Sequence, residues 1–112
     1  MANVLVSDRL KACVDACGEC VEACEACAQH CLSSSEMAEC NRLCLDCASV
    51  CHGFITLLGR ESRFIGEYAR LCAEVCRACA EECERHQTES CRRCGEACRQ
   101  CLKECEALAL AA

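Results

Sequence analysis

Nineteen of the 112 residues are cysteines, and they fall into four regular groups. The first is Cys13, Cys17, Cys20, Cys24, Cys27 and Cys31, and the second is Cys40, Cys44, Cys47 and Cys51. The third is Cys72, Cys76, Cys79 and Cys83, and the fourth is Cys91, Cys94, Cys98, Cys101 and Cys105. Within each group the steps alternate between three and four residues. A thiolate is a soft ligand and selects Cu(I), Zn or iron–sulfur clusters. On a helix, residues three or four apart hold their Cβ atoms about 5–6 Å from one another, whereas a disulfide needs about 3.5–4.5 Å. Such pairs are too far apart to oxidise without distortion, yet close enough to share one metal ion. Cu(I) accepts two or three sulfur ligands, and bridging thiolates would join neighbouring sites into clusters. Each Cu(I) that replaces a thiol proton leaves the net charge unchanged. One-to-one filling therefore avoids burying net charge, which in isolation costs on the order of tens of kcal/mol. The ligand set predicts roughly one Cu(I) per cysteine, ~19 per chain. Structural zinc prefers closed four-ligand tetrahedra. Iron–sulfur ferredoxins use tight cysteine runs ending in Cys-Pro, and this chain has no proline.

The elements that must position these thiols follow from the same spacing. Alternating steps of three and four place every cysteine at the a and d positions of a helical heptad, as one stripe per helix. Four stripes mean four helices, and the spacing predicts them at about 5–32, 35–58, 61–86 and 89–109. Short connections force antiparallel neighbours, so the expected fold is all-α: an up-down-up-down four-helix bundle with a cysteine-lined core, as one domain over residues 1–112. The outward positions agree, with Asp15, Glu22 and Gln29 opposite the first stripe and Glu74 and Glu81 opposite the third. Small or apolar residues flank the stripes at Ala16, Val21, Ala23, Val50, Ala73, Ala80 and Ala97. Only 24 residues are Val, Leu, Ile, Met, Phe or Tyr, too few for a helical core filled in the ordinary way, so sulfur must occupy the middle. Ser33 to Glu36 reads as a capping box for the second helix. Gly59 suits a helix C-terminus, and Thr88 suits the N-cap of the fourth helix.

Continued in register, the stripes reach Leu10 and Val6, Phe54 and Leu58, Ala69 and Ile65, and Leu108. In an up-down bundle these extensions share one end, which becomes an apolar plug; Phe64 and Tyr68 are expected to help stabilise it. The opposite end receives Met37 and His86 in register, with His30 one position off the stripe, and Asn41 beside Cys40. Met37, His86 and His30 are thus candidate ligands at a mouth. His52 falls off the stripe and is expected on the surface.

The formal net charge is −6 and no Lys/Arg run occurs, which argues against nucleic acid and anionic membranes as partners. No window is expected to approach the length of a membrane span. The N-terminal residues do not read as a secretory signal. A cytoplasmic location is therefore expected, where thiols stay reduced; an odd number of cysteines fits that setting better than a disulfide scaffold does. No cysteine is paired with a base and the three histidines form no evident catalytic site, so no enzymatic activity is expected. A metallothionein-like chain that folds around its metal, a zinc-clipped structural protein and a thiol redox sensor are the competing readings.

The repeated C-x3-C-x2-C-x3-C stripes on four helices resemble those of the bacterial four-helix-bundle copper storage proteins. The resemblance runs from about Cys13 to Cys105, and the missing export signal is similar to the cytosolic branch of that family. It implies storage of many Cu(I) ions in a preformed bundle, with all 19 cysteines as ligands and with His30, Met37 and His86 near an open end. It also implies a homotetramer, to which outward Leu32 and Leu45 could contribute, and copper donor or acceptor proteins as partners.

Overall fold

The computed structural model describes residues 4–111 of the chain, and side-chain surroundings for residues 8–110. Four helices follow one another: α1 (Val4–Cys31), α2 (Ala38–Gly59), α3 (Ile65–Glu84) and α4 (Glu89–Ala111), with a 3-10 turn at Ser35–Met37. No strand occurs among the described residues. Each helix packs against two neighbours, α1 on α2 and α4, and α3 on α2 and α4. The result is a square, antiparallel bundle 49 × 18 × 18 Å in extent. Its narrow section follows from the small side chains along the seams. A Cβ added at Gly95 would meet Glu84, Cys83 and Ala80 at 3.6–3.9 Å, so α4 lies against α3 at ordinary contact distance there.

All 19 cysteines are buried, and they form one core with Ala16, Ala28, Ala48, Ala69, Ala73 and Ala80. The outer faces carry the charge. Arg99 forms a bidentate pair with Glu84 at 2.9 and 2.8 Å, and Arg77 meets Glu106 at 2.7 Å; both tie α3 to α4. Exposed pairs of this kind contribute about 0–1 kcal/mol each, so burial of the seam is what holds the bundle together.

The plug is present. Phe54 is 0% exposed, Leu58, Ala69 and Leu108 are buried, and Leu10 and Ile65 are half-buried against them. Val6 lies outside the residues whose side chains are described. Phe54 stacks on Tyr68 with ring centroids 5.1 Å apart, and the Tyr68 hydroxyl donates to the Val50 carbonyl at 2.9 Å. That approach needs Gly53, because a Cβ there would sit 2.5 Å from the Tyr68 hydroxyl oxygen. Phe64 does not join the plug. It is 51% exposed, with Arg63 over its ring, because α3 begins one residue after it rather than near residue 61.

The late start of α3 has a local cause. The chain leaves α2 through a Schellman motif: Glu61 N–H donates to Leu58 O, and Ser62 N–H donates to Leu57 O. The left-handed residue of that motif is Glu61, at φ 50°, while Gly59 remains the last residue of the helix with negative φ. Ser62 then accepts the Phe64 N–H on its hydroxyl. The expected cap on α2 also shifts. Ser33 turns its hydroxyl back to His30 O, and Ser34 accepts the Glu36 N–H, because the first turn is 3-10. Thr88 caps α4 as expected, accepting the Cys91 N–H at 3.1 Å. α3 ends at Glu84, so His86 lies beyond the helix instead of on its stripe.

One expectation about membranes fails on composition. The stretch Ser35–Gly59 is long and apolar enough to span a bilayer by length and hydropathy. Its apolarity owes much to Cys40, Cys44, Cys47 and Cys51, all fully buried inside the bundle.

Candidate metal centre

The heptad rotates each thiol inward, and the antiparallel packing brings sulfurs from different helices to one axis. Cys17 meets Cys101 at 3.6 Å, Cys51 meets Cys72 at 3.6 Å, and Cys24 meets Cys94 at 3.6 Å. Diagonal pairs also meet: Cys44 and Cys94 at 3.8 Å, Cys47 and Cys98 at 4.0 Å, Cys51 and Cys101 at 3.8 Å. Every cysteine has at least one other sulfur within 4.0 Å. A continuous path runs from Cys13 through Cys105, Cys101, Cys51, Cys76, Cys47, Cys20, Cys98, Cys94, Cys44, Cys40, Cys91 and Cys27 to Cys31. All the thiols are free. Sets of four converge to within 4.8 Å of one another, among them Cys17/Cys72/Cys101/Cys105 at the plug end and Cys27/Cys40/Cys44/Cys83 towards the opposite end.

Proton affinity varies along this path for two reasons. A sulfur that accepts S–H bonds is favoured as thiolate. Cys105 and Cys17 bring Cys13 down to about 5, Cys44 and Cys83 bring Cys27 down to about 6, and Cys105 and Cys17 bring Cys101 down to about 7. At Cys31, Cys40 and Cys91, in the half away from the plug, burial dominates. It pushes Cys31 up to about 11 and raises Cys40 and Cys91 as well.

The other candidate ligands are placed less uniformly. Met37 is buried in the 3-10 turn above the second stripe. His86 is half-buried, and its Nε2 lies 2.8 Å from a Glu82 carboxylate oxygen. Glu82 had no assigned role from sequence, although its i,i+4 spacing to His86 was there to read. His30 is exposed on α1, and His52 is exposed on α2. Asn41 points its amide at the Ala28 carbonyl, donating at 2.7 Å. That carbonyl lies in the last turn of α1, where Leu32 N–H bonds Gln29 O instead. Asn41 therefore ties α2 to the end of α1 and has its amide nitrogen occupied.

A helical tube filled with convergent free thiols and, among the described residues, with no buried charged side chain defines a thiolate-rich four-helix bundle suited to soft metal ions. The model of the copper storage protein family matches residues 6–110, and the chain belongs to that family. Three solved structures show the likeness. The copper-free copper storage protein 3 of Bacillus subtilis is 35% identical, with TM-score 0.84, covering 88% of this chain and 97% of that one. A cytosolic copper storage protein of Streptomyces lividans carrying five coppers is 37% identical, with TM-score 0.88, covering 92% and 93%. The Streptomyces lividans protein loaded with ten copper equivalents is 36% identical, with TM-score 0.89, covering 94% and 86%. No curated protein matches the chain.

Proposed function

We propose that this chain is a cytosolic store for Cu(I), acting as one domain over residues 1–112, with all 19 cysteines as ligands. The observation that carries the reading is the unbroken sulfur path, on which every thiol is buried and within 4.0 Å of another. Three sulfurs at such separations surround a Cu(I) ion, and each bound ion replaces one proton. Capacity approaches one ion per thiol, ~19 per chain. Copper is the cargo, and no chemical transformation is assigned to the protein. Met37, His86 and His30 serve the mouth, where ions are taken up and given back to donor or acceptor proteins. Glu82 is already on His86 Nε2, which leaves Nδ1 as the nitrogen for a passing ion. Four chains associate as a homotetramer, as the family resemblance implies; Leu32 and Leu45, 68% and 45% exposed, supply apolar contact on outer faces.

Anaerobic titration of the reduced protein with Cu(I), against a chelator of known affinity, tests the reading. Uptake should continue towards one ion per cysteine. Saturation at one to three ions per chain would refute storage. The triple substitution of Met37, His30 and His86 to Ala should slow loading and removal far more than it lowers capacity. Unchanged rates would remove those residues from the mouth.

A further inference from the structure

The sulfurs are not evenly arranged, and one set of four has a regularity that a two- or three-coordinate ion does not require. Cys20, Cys24, Cys47 and Cys98 lie within 4.8 Å of one another. Five of the six edges of this tetrahedron are short: Cys20–Cys24 3.8 Å, Cys20–Cys47 3.7 Å, Cys20–Cys98 3.7 Å, Cys24–Cys98 3.8 Å and Cys47–Cys98 4.0 Å. In the tetrad Cys27/Cys40/Cys44/Cys83, by comparison, three edges carry S–H···S contacts of 3.8–4.0 Å. The sixth edge, Cys24–Cys47, is no longer than 4.8 Å. The centre of a regular tetrahedron lies at about 0.61 of the edge from each corner, so the five short edges put a central ion close to the Zn–thiolate bond length of about 2.3 Å.

We propose that the copper-free protein holds one Zn(II) ion at Cys20, Cys24, Cys47 and Cys98. A d10 dication with tetrahedral preference fits this hole with its sulfurs near their present positions. Binding exchanges Zn(II) for four thiol protons and leaves a tetrathiolate complex of charge −2. The neighbouring thiols suit that charge. Cys94 donates to Cys24 at 3.6 Å and lies 4.0 Å from Cys98, and Cys76 lies 3.8 Å from Cys47. Two of the four zinc-bound sulfurs thus have an outside thiol to donate to them: Cys94 to Cys24, and Cys76 to Cys47 once Cys47 has lost its own proton to the metal. Two ligands come from α1, one from α2 and one from α4, so the ion clips three helices together when copper is scarce. Cu(I), which is softer and fills the whole path, displaces it. Because four protons leave, zinc affinity rises with pH.

Anaerobic titration of the copper-free, reduced protein with Co(II), followed by Zn(II), tests the site, since tetrahedral thiolate Co(II) has intense visible bands that Zn(II) abolishes. The expected result is saturation at one Co(II) per chain, bleaching by one equivalent of Zn(II), and a higher thermal midpoint with Zn(II) bound. The double variant Cys47→Ala/Cys98→Ala should lose the tetrahedral spectrum, while Cys13→Ala/Cys105→Ala should keep it. Weak, octahedral-type bands in the wild-type protein would overturn the proposal whatever the variants do. So would a tetrahedral spectrum that survives loss of Cys47 and Cys98. A parallel Cu(I) titration separates the two readings: normal copper capacity without a tetrahedral Co(II) spectrum sinks the zinc site alone.

Discussion

Replacing Phe54 with Ala should unfold the metal-free bundle far more readily without touching a ligand. Phe54 is the largest fully buried side chain, and the rest of the deep core is mostly Cys and Ala. Truncating a buried Phe costs about 3–5 kcal/mol, from lost transfer energy and the cavity left behind. Tyr68 would also lose its stacking partner. Against a total stability on the order of 5–15 kcal/mol, that is a large fraction. At roughly 4 °C per kcal/mol for a chain of this size, the thermal midpoint should fall by about 12–20 °C. The assay is urea and thermal unfolding of the reduced, copper-free protein, followed by circular dichroism at a helix band. Copper-loaded protein should show a much smaller difference, because unfolding must then also break metal–thiolate bonds between helices. Cu(I) capacity should be unchanged. A loss below about 1 kcal/mol would refute the idea that the plug holds the empty bundle together.

Three further outcomes follow from local geometry. Glu61→Gly should stabilise the protein by about 0.5–1 kcal/mol, because it relieves a left-handed L-residue but gains unfolded-state entropy; a lower urea midpoint would count against the Schellman exit. Gly53→Ala should be close to neutral, since the helix-propensity gain of about 1 kcal/mol offsets the lost Tyr68–Val50 hydrogen bond. In a Tyr68→Phe background the same change should yield the full gain, and a double-mutant cycle that is additive would show that the two residues do not meet. The metal-free protein should have a stability maximum at mildly alkaline pH, around the ordinary thiol value of about 8.5. Cys31 is raised to about 11, so its contribution is complete below the ordinary thiol value of about 8.5 and is lost as pH rises from there through about 11. Cys13 and Cys27 are lowered to about 5 and 6, so theirs is present above the ordinary value and lost as pH falls through those values. Urea midpoints measured across pH 5–11, the window set by those values, should trace both limbs, and a flat profile would refute the assignment.

The stripes were legible in the sequence because a 3-4 period in one residue type is a direct statement of helix face. The plug at Phe54, Leu58 and Leu108 was legible for the same reason, as the continuation of that face. What the period could not give is the stagger between helices, which decides that Cys17 faces Cys101 and that Cys20, Cys24, Cys47 and Cys98 close a tetrahedron. The misplaced details sit in the connections. Phe64 looked like plug and is exposed, because the Schellman exit at Glu61 delays α3. His86 looked like the next residue on a stripe, but α3 ends before it and Glu82 takes its Nε2. Ser34 caps where Ser33 was expected to, because a 3-10 turn moves the register by one. Backbone hydrogen bonds in a turn of a few residues settle such points, and composition carries little trace of them.

The sulfur path from Cys13 to Cys31 also governs how a stored ion travels. With the next sulfur never more than 4.0 Å away along it, an ion can form its new bond before it releases the old one. No bare cation ever crosses the low-dielectric interior, where its solvation cost would be prohibitive. Transit along the path is therefore associative, and entry and exit are the steps in which an ion must exchange protein sulfur for an outside ligand. Ions admitted first need not stay where they entered; they can redistribute until the most tightly binding thiolates are occupied. Withdrawal at one end then drains the whole length, so the interior behaves as a single connected pool rather than a row of separate compartments.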